Sequence, residues 1–177
     1  MTKFSFLALV FAVFSIAACS AQSEKSAVKE QSGGPELKWY TDVNEAQAAS
    51  VASNKPIFAF FTGSDWCGWC KKLQREVFAK PAFKEWAAQK VVLLELDFPR
   101  GKQQDDKLRQ QNQELQQAFQ VRGYPTIWIF TLAPNEQTQQ MMINAYGSLG
   151  YPRGAESGKE EVKFLSEAEE VMANKPN

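Results

Sequence analysis

Two cysteines separated by two residues are the part of this chain best suited to chemistry. Cys67 and Cys70 lie in the segment Trp66-Cys67-Gly68-Trp69-Cys70, directly after an apolar run and at the start of a helical pattern. At this spacing, two thiols can form and open a disulfide within one turn. A purely structural bridge across so short a loop would stabilise the fold little, and a two-thiolate zinc half-site would need ligands from another chain. The spacing therefore predicts a redox pair.

Composition excludes several other classes of function. The 20 basic and 20 acidic residues cancel, so the chain has no net charge to attract nucleic acid, and we predict no nucleic-acid partner. Histidine is absent, which excludes histidine-based zinc sites and hydrolase triads. We therefore predict neither a metal nor a cofactor. Thiol chemistry is the class that remains.

The N-terminus has the features of an export signal. Lys3 supplies a positive start, and residues 4–18 form an apolar stretch too short for a transmembrane helix. The small residues before Cys19 resemble a bacterial lipobox, which predicts a signal peptide over residues 1–18 and a lipid on the Cys19 sulfur. Ordinary secretory cleavage after Ala18 or Ala21 is the alternative.

Localisation and domain organisation follow from this leader. Residues 19–36 are polar and small, ending in Gly33-Gly34-Pro35, and we interpret them as a flexible, lipidated tether. Ser20 after the cysteine favours the outer membrane of a Gram-negative cell. The sequence thus predicts an exported, lipid-anchored protein that faces the periplasm, with one domain over residues 37–177.

The hydrophobic pattern predicts an α/β domain. Apolar runs indicate buried strands, and apolar positions at helical spacing indicate the helices between them. Their order predicts a central mixed β-sheet flanked by helices on both faces. The predicted helices are 42–53, one through Leu73 and Phe78, one from Pro81, 105–120 and a last one capped by Ser157; the predicted strands are 57–62, 91–97, 126–131 and 141–146.

The cysteine segment, the strand before it and the later Gly123-Tyr124-Pro125-Thr126 together resemble the thioredoxin superfamily. More narrowly, the chain is similar to exported bacterial thioredoxin-like lipoproteins, which also resemble the C-terminal domain of the membrane thiol:disulfide interchange reductase. The resemblance covers residues 37–172 and implies a thioredoxin-like fold.

The resemblance also implies roles for three residues. Cys67 would be the nucleophile at a helix N-terminus, and Cys70 the resolving cysteine, with which Cys67 forms a disulfide. Pro125 would be a cis-proline facing the sulfurs. From the sequence alone, a trans proline ahead of a strand is the alternative.

Two departures from the thioredoxin pattern leave the redox potential open. Trp69 replaces the proline usual between the cysteines, and the strand before the motif lacks the buried acid that serves thioredoxins as a proton acceptor. Glu95, within the next apolar strand, is the candidate substitute, and a glutamate that reaches solvent is the alternative. We expect Asp65 to be a helix cap and Glu76 to be a surface charge.

Trp66, Trp69 and Tyr124 are predicted to form an aromatic rim around the sulfurs that binds substrate. The chain is thus predicted to be a monomeric protein-disulfide oxidoreductase of the reductase or isomerase type. Its predicted partners are protein thiols and disulfides, the membrane through its lipid, and a membrane electron donor. The alternative is a tethered binding or chaperone module whose disulfide stays closed.

Overall fold

The computed structural model describes residues 33–135, 137–138 and 141–176. The predicted signal peptide, the lipidated Cys19 and most of the tether lie outside these residues. The strands are β1 (Trp39–Tyr40), β2 (Ile57–Thr62), β3 (Val92–Asp97), β4 (Thr126–Pro134) and β5 (Met141–Leu149). The helices are α1 (Val43–Ser53), α2 (Gly68–Leu73), α3 (Pro81–Lys90), α4 (Asp106–Ala118) and α5 (Glu160–Ala173), and a π-helical segment (Gln74–Phe78) continues α2.

The five strands form one mixed sheet in the order β1-β3-β2-β4-β5. β3 runs parallel to β1 and β2, whereas β4 is antiparallel to both β2 and β5. All six residues of β2 are buried, as expected of a central strand covered on both faces. The predicted mixed sheet is therefore confirmed.

Side chains of β2 alternate between two hydrophobic cores, one on each face of the sheet. Phe58 and Phe60 pack with Cys70 and with apolar residues of α3 and α5. Ile57, Ala59 and Phe61 point to the other face, toward α1 and the end of α4. The cysteine pair therefore belongs to the core between the sheet and the face that α3 and α5 cover.

Three details of the secondary structure differ from the prediction. The two-residue strand β1 was not predicted, because Trp39 and Tyr40 are too short a run to show a period. β4 and β5 each extend beyond their predicted ends, to Pro134 and Leu149. Ser157 does not cap α5: the N-cap is Lys159, without a side-chain hydrogen bond.

Order extends to the N-terminal side of β1. A Cβ atom on Gly34 would lie 3.0 Å from the Cβ of Lys84 and 3.1 Å from the carbonyl oxygen of Pro81, so the chain already runs close against α3 at Gly34. Among the described residues, none of the helices is both long and apolar enough to cross a membrane.

Candidate active site

The cysteine pair lies at the start of α2, just after the loop that follows β2. Cys67 is the N-cap residue of α2, and its sulfur is joined to that of Cys70 in a disulfide. Cys67 is 5% exposed, whereas Cys70 is completely buried, so an incoming disulfide can reach only Cys67. The backbone N–H of Cys70 donates to the Cys67 sulfur at 3.1 Å. A donor aimed at this sulfur stabilises its thiolate over its thiol once the bond opens.

Asp65 connects the loop before Cys67 to the loop after β3 through hydrogen bonds. Its carboxylate accepts from the backbone N–H of Arg100 at 3.1 Å and of Gly101 at 2.6 Å. The hydrogen bond from Gly101 is the main reason why the pKa of Asp65 lies below its usual value. The expectation that Asp65 caps a helix is therefore wrong. Its partners lie far along the chain, so local spacing could not have identified them.

Trp66 is held on several sides. Its indole N–H donates to the carbonyl oxygen of Phe98 at 2.8 Å, and the Arg100 guanidinium lies 3.7 Å from the centre of its ring. The ring of Tyr124 meets Trp66 edge to face, with 5.7 Å between centroids. A Cβ atom on Gly63 would lie 2.4 Å from the Trp66 ring, so only glycine fits beside it. Trp66 is thus packed as part of the scaffold.

Tyr124 brings the segment that holds Pro125 to the side of Trp66. The Tyr124–Pro125 peptide bond is cis. The Tyr124 hydroxyl accepts from the side-chain amide of Gln116 at 2.7 Å, and burial raises the pKa of Tyr124 to about 12. Since Trp66 immediately precedes Cys67, the contact between Trp66 and Tyr124 joins the segment that holds Pro125 to the segment that holds the cysteines.

Trp69 belongs to a second aromatic pair. It is 55% exposed, and its ring meets the ring of Tyr151 with 4.9 Å between centroids. The Lys72 ammonium lies 5.1 Å from the Trp69 ring centre and 4.9 Å from that of Tyr151. The predicted rim therefore consists of two separate groups, Trp66 with Tyr124 and Trp69 with Tyr151.

Glu76 supports the second pair. The Tyr151 hydroxyl donates to its carboxylate at 2.5 Å, and this hydrogen bond is the main cause of its lowered pKa. Lys72 and Arg75 form ion pairs with it at 3.9 Å and 3.0 Å. The expected surface charge of Glu76 is thus paired, and Tyr151 reaches it from the connection between β5 and α5.

Glu95 lies on the face of the sheet that carries the cysteines. It is in register with Phe60 across the β2–β3 pair, and Phe60 belongs to the same core as Cys70. Partial burial raises the pKa of Glu95, and the charge of Asp97 two residues later adds to the rise. The apolar residues of β2 that precede the motif are fully buried, so β2 itself offers no acid there.

Comparison with known proteins identifies the family to which this chain belongs. The sequence profile of a family described as a thioredoxin-like domain matches residues 43–141. The chain is 35% identical over 137 residues to the "Disulfide bond reductase DsbH" of Chlamydia pneumoniae, covering 75% of this chain and 81% of that protein. This chain belongs to the thioredoxin-like family.

Two further similarities agree with membership of the thioredoxin-like family. A solved structure of a DsbH oxidoreductase superimposes with a TM-score of 0.64 at 27% identity, covering 86% of this chain and 96% of that one. The "Thioredoxin-related protein DsbJ" of Chlamydia pneumoniae is 30% identical over 112 residues, which are 63% of this chain and 31% of DsbJ. With its Cys67–Cys70 disulfide, this thioredoxin-like protein is a thiol:disulfide oxidoreductase.

Sequence reasoning missed four residues of the site. One signal was present: Tyr151 is a large aromatic residue within a polar, glycine-rich connection, where it has no obvious core position. Lys72, Arg100 and Phe98 gave no signal, because charged and apolar residues are common in such segments. Within the described ranges, no cluster of three or more His, Cys, Asp or Glu side chains could hold a metal ion.

Proposed function

We propose that this protein reduces disulfides in exported proteins through the Cys67–Cys70 pair. The observation that carries the proposal is the contrast between the two sulfurs. Cys67 is slightly exposed and accepts a backbone N–H, whereas Cys70 is fully buried behind it. The printed name of DsbH, a disulfide bond reductase, supports the reductive direction.

The reaction begins with the reduced pair. The Cys67 thiolate attacks one sulfur of a substrate disulfide, which forms a mixed disulfide and releases the other substrate sulfur as a thiolate. Cys70 then loses its proton and attacks the Cys67 sulfur. This step forms the Cys67–Cys70 disulfide and releases the second substrate sulfur. The substrate gains the two electrons that the enzyme pair loses. Both substrate sulfurs leave as thiolates and take up protons from solvent, while the enzyme pair releases the single proton of Cys70.

We propose that Glu95 accepts the proton that Cys70 loses before it attacks Cys67. Glu95 lies on the cysteine face of the sheet, and burial raises its pKa, as suits a group that accepts a proton from a thiol. Among the described residues, Glu95 forms no hydrogen bond or ion pair that would occupy its carboxylate.

Substrate binding is assigned to the aromatic residues and to the segment with Pro125. Trp69 offers an exposed ring between the two cysteines, whereas Trp66 and Tyr124 form a separate, more rigid aromatic pair next to Cys67. Pro125 has no N–H, so it can approach the sulfurs without offering a donor, while the Tyr124 backbone pairs with an extended substrate segment.

The protein is proposed to work in the periplasm, held by its lipid to the outer membrane. The apolar leader and the small residues before Cys19 support export and lipid attachment. A thiol reductase in an oxidising compartment needs a supply of electrons, so we propose a membrane-bound dithiol donor that reduces the Cys67–Cys70 disulfide after each turnover.

An insulin reduction assay tests the proposed function. The Cys19→Ser variant removes the lipid while keeping the redox pair, and dithiothreitol supplies electrons. We expect turnover well above the rate with dithiothreitol alone, and loss of that turnover in Cys67→Ser and Cys70→Ser versions of the same protein. Absence of turnover in the parent protein would favour a tethered binding module.

A further inference from the structure

Tyr151 is the residue through which the connection between β5 and α5 reaches the helix that carries the cysteines. Its ring meets Trp69 at 4.9 Å between centroids, and its hydroxyl donates to Glu76 at 2.5 Å. The side chain is therefore fixed at both ends: the hydroxyl is bonded to the helical region after α2, and the ring packs against the residue between the cysteines.

The three partners of Tyr151 form one face of this helical region. Trp69, Lys72 and Glu76 follow one another at intervals of three and four residues, which places them on one side of the helix. Lys72 lies 4.9 Å from the Tyr151 ring centre and 3.9 Å from the Glu76 carboxylate. Its charge is thus balanced by Glu76, and the outward surface of the group is the apolar ring of Trp69.

Trp69 needs such support because it is exposed. Trp69 is 55% exposed, so packing against the core does little to fix the position of its ring. Among the described residues, its indole N–H has no hydrogen-bond partner. The Tyr151 ring and the Lys72 ammonium are the ring contacts that hold it.

We propose that Tyr151 is a positioning residue that holds Trp69 ready to bind an extended substrate segment with a large apolar side chain next to its disulfide. This inference rests on the proposed reductase function. If the Trp69 ring is ordered before substrate binds, less side-chain conformational entropy is lost on binding. Ordering one such side chain changes affinity roughly 2- to 10-fold.

Kinetics with three disulfides separate this role from a general structural one. The probes are a peptide disulfide with phenylalanine next to the cysteine, the same peptide with serine there, and hydroxyethyl disulfide, which is too small to contact Trp69. Tyr151→Leu removes the ring and the hydroxyl, whereas Tyr151→Phe keeps the ring. Tyr40→Phe is the matched control, since Tyr40 packs with the core on the other face of the sheet.

We expect Tyr151→Leu to raise KM for the phenylalanine peptide about 3- to 10-fold with kcat unchanged. Rates with the serine peptide and with hydroxyethyl disulfide should stay at the parent value. Tyr151→Phe should recover most of the loss, and Tyr151→Leu should have no further effect on KM in a Trp69→Ala background. Tyr40→Phe should leave all three substrates unaffected.

Two results would overturn the inference while leaving the proposed function intact. One is an unchanged KM for the phenylalanine peptide in folded Tyr151→Leu protein. The other is an equal loss of activity on all three disulfides, which would mean that Tyr151 affects the cysteine pair itself. If the parent protein reduces none of the three, it is the proposed function that fails.

Discussion

The two tryptophans next to the cysteines have similar neighbours but different degrees of fixation. Trp66 and Trp69 each meet a tyrosine edge to face, and each has a cation over its ring. Trp66 is in addition hydrogen-bonded through its indole N–H and packed against Gly63, whereas Trp69 is more than half exposed. The same local arrangement thus serves the scaffold at Trp66 and an accessible surface at Trp69.

This difference has a physical cause in the surrounding chain. The Trp66 side is fastened by the loop after β3, which Asp65 holds through two backbone N–H groups. On the Trp69 side, the ring contacts among the described residues come from the side chains of Tyr151 and Lys72. A site with one rigid wall and one accessible wall can bind different polypeptides while it keeps the sulfurs in place.

The largest effect on stability is expected from adding one methyl group next to the Trp66 ring. In Gly63→Ala, the new Cβ would lie 2.4 Å from the Trp66 ring, which must then move. We expect a loss of about 2 to 3 kcal/mol in the free energy of unfolding, measured by urea denaturation. Gly68→Ala is the matched control, because a Cβ there meets nothing within 4 Å, and it should be neutral or slightly stabilising. Equal midpoints for both variants would contradict a rigid Trp66 wall.

Replacing each tryptophan by phenylalanine compares the two sides directly. Trp66→Phe removes the hydrogen bond to the Phe98 carbonyl and should cost about 1 to 3 kcal/mol of stability. Trp69→Phe removes no hydrogen bond among the described residues and should change stability by less than about 0.5 kcal/mol. Urea midpoints give both values. A larger cost for Trp69→Phe would reverse the assignment of the two walls.

A smaller, pH-dependent effect is expected at Asp65. Because its pKa is lowered by folding, the carboxylate stabilises the protein above its ordinary pKa of 3.8, and this contribution is lost as the pH falls through the folded pKa. Asp65→Asn should therefore lower the urea midpoint at pH 7 and differ less from the parent below about pH 4. Asp106→Asn, which removes an exposed ion pair with Arg109, is the control. A difference that does not vary with pH would show that the charge is not what holds the loop.

The smallest effect on stability is expected at Glu95, which forms no hydrogen bond or ion pair among the described residues. Its pKa is raised by burial, so the charged form destabilises the fold at neutral pH, and this cost disappears below its ordinary pKa of 4.5. Glu95→Gln should thus raise the urea midpoint slightly at pH 7 and leave it unchanged at pH 4.

The same Glu95→Gln variant tests the proposed proton transfer. When the rate of mixed-disulfide resolution is measured by stopped flow as a function of pH, this variant should lose the part of the rate that rises as Glu95 ionises. Glu85→Gln, at an exposed position of helix α3, is the control. An unchanged pH profile in Glu95→Gln would remove Glu95 from the mechanism.

Much of the fold could be predicted because local patterns decide it. The six residues of β2 are a continuous apolar run, and the observed strand has the predicted bounds. The prediction failed where distant partners decide: β1 is too short to show a period, and β5 extends to Leu149 because β4 pairs with it there.

The site could be predicted only in its central part. Cys67 and Cys70 were found from their spacing, because a redox pair needs both sulfurs within one turn. The division of the aromatic rim could not be found, since it depends on Arg100 and Tyr151, which come from two separate loops. Contacts between loops have no period and no spacing that a sequence would display.

Trapping of mixed disulfides tests the central claim most directly. A Cys70→Ala variant of the full chain should accumulate disulfide-linked complexes through Cys67, which are released by dithiothreitol, because the resolving attack is absent. A Cys67→Ala variant should trap none, since the remaining cysteine of the pair is fully buried. If Cys70→Ala traps nothing, or if Cys67→Ala traps as much, Cys67 is not the attacking sulfur and the account is contradicted.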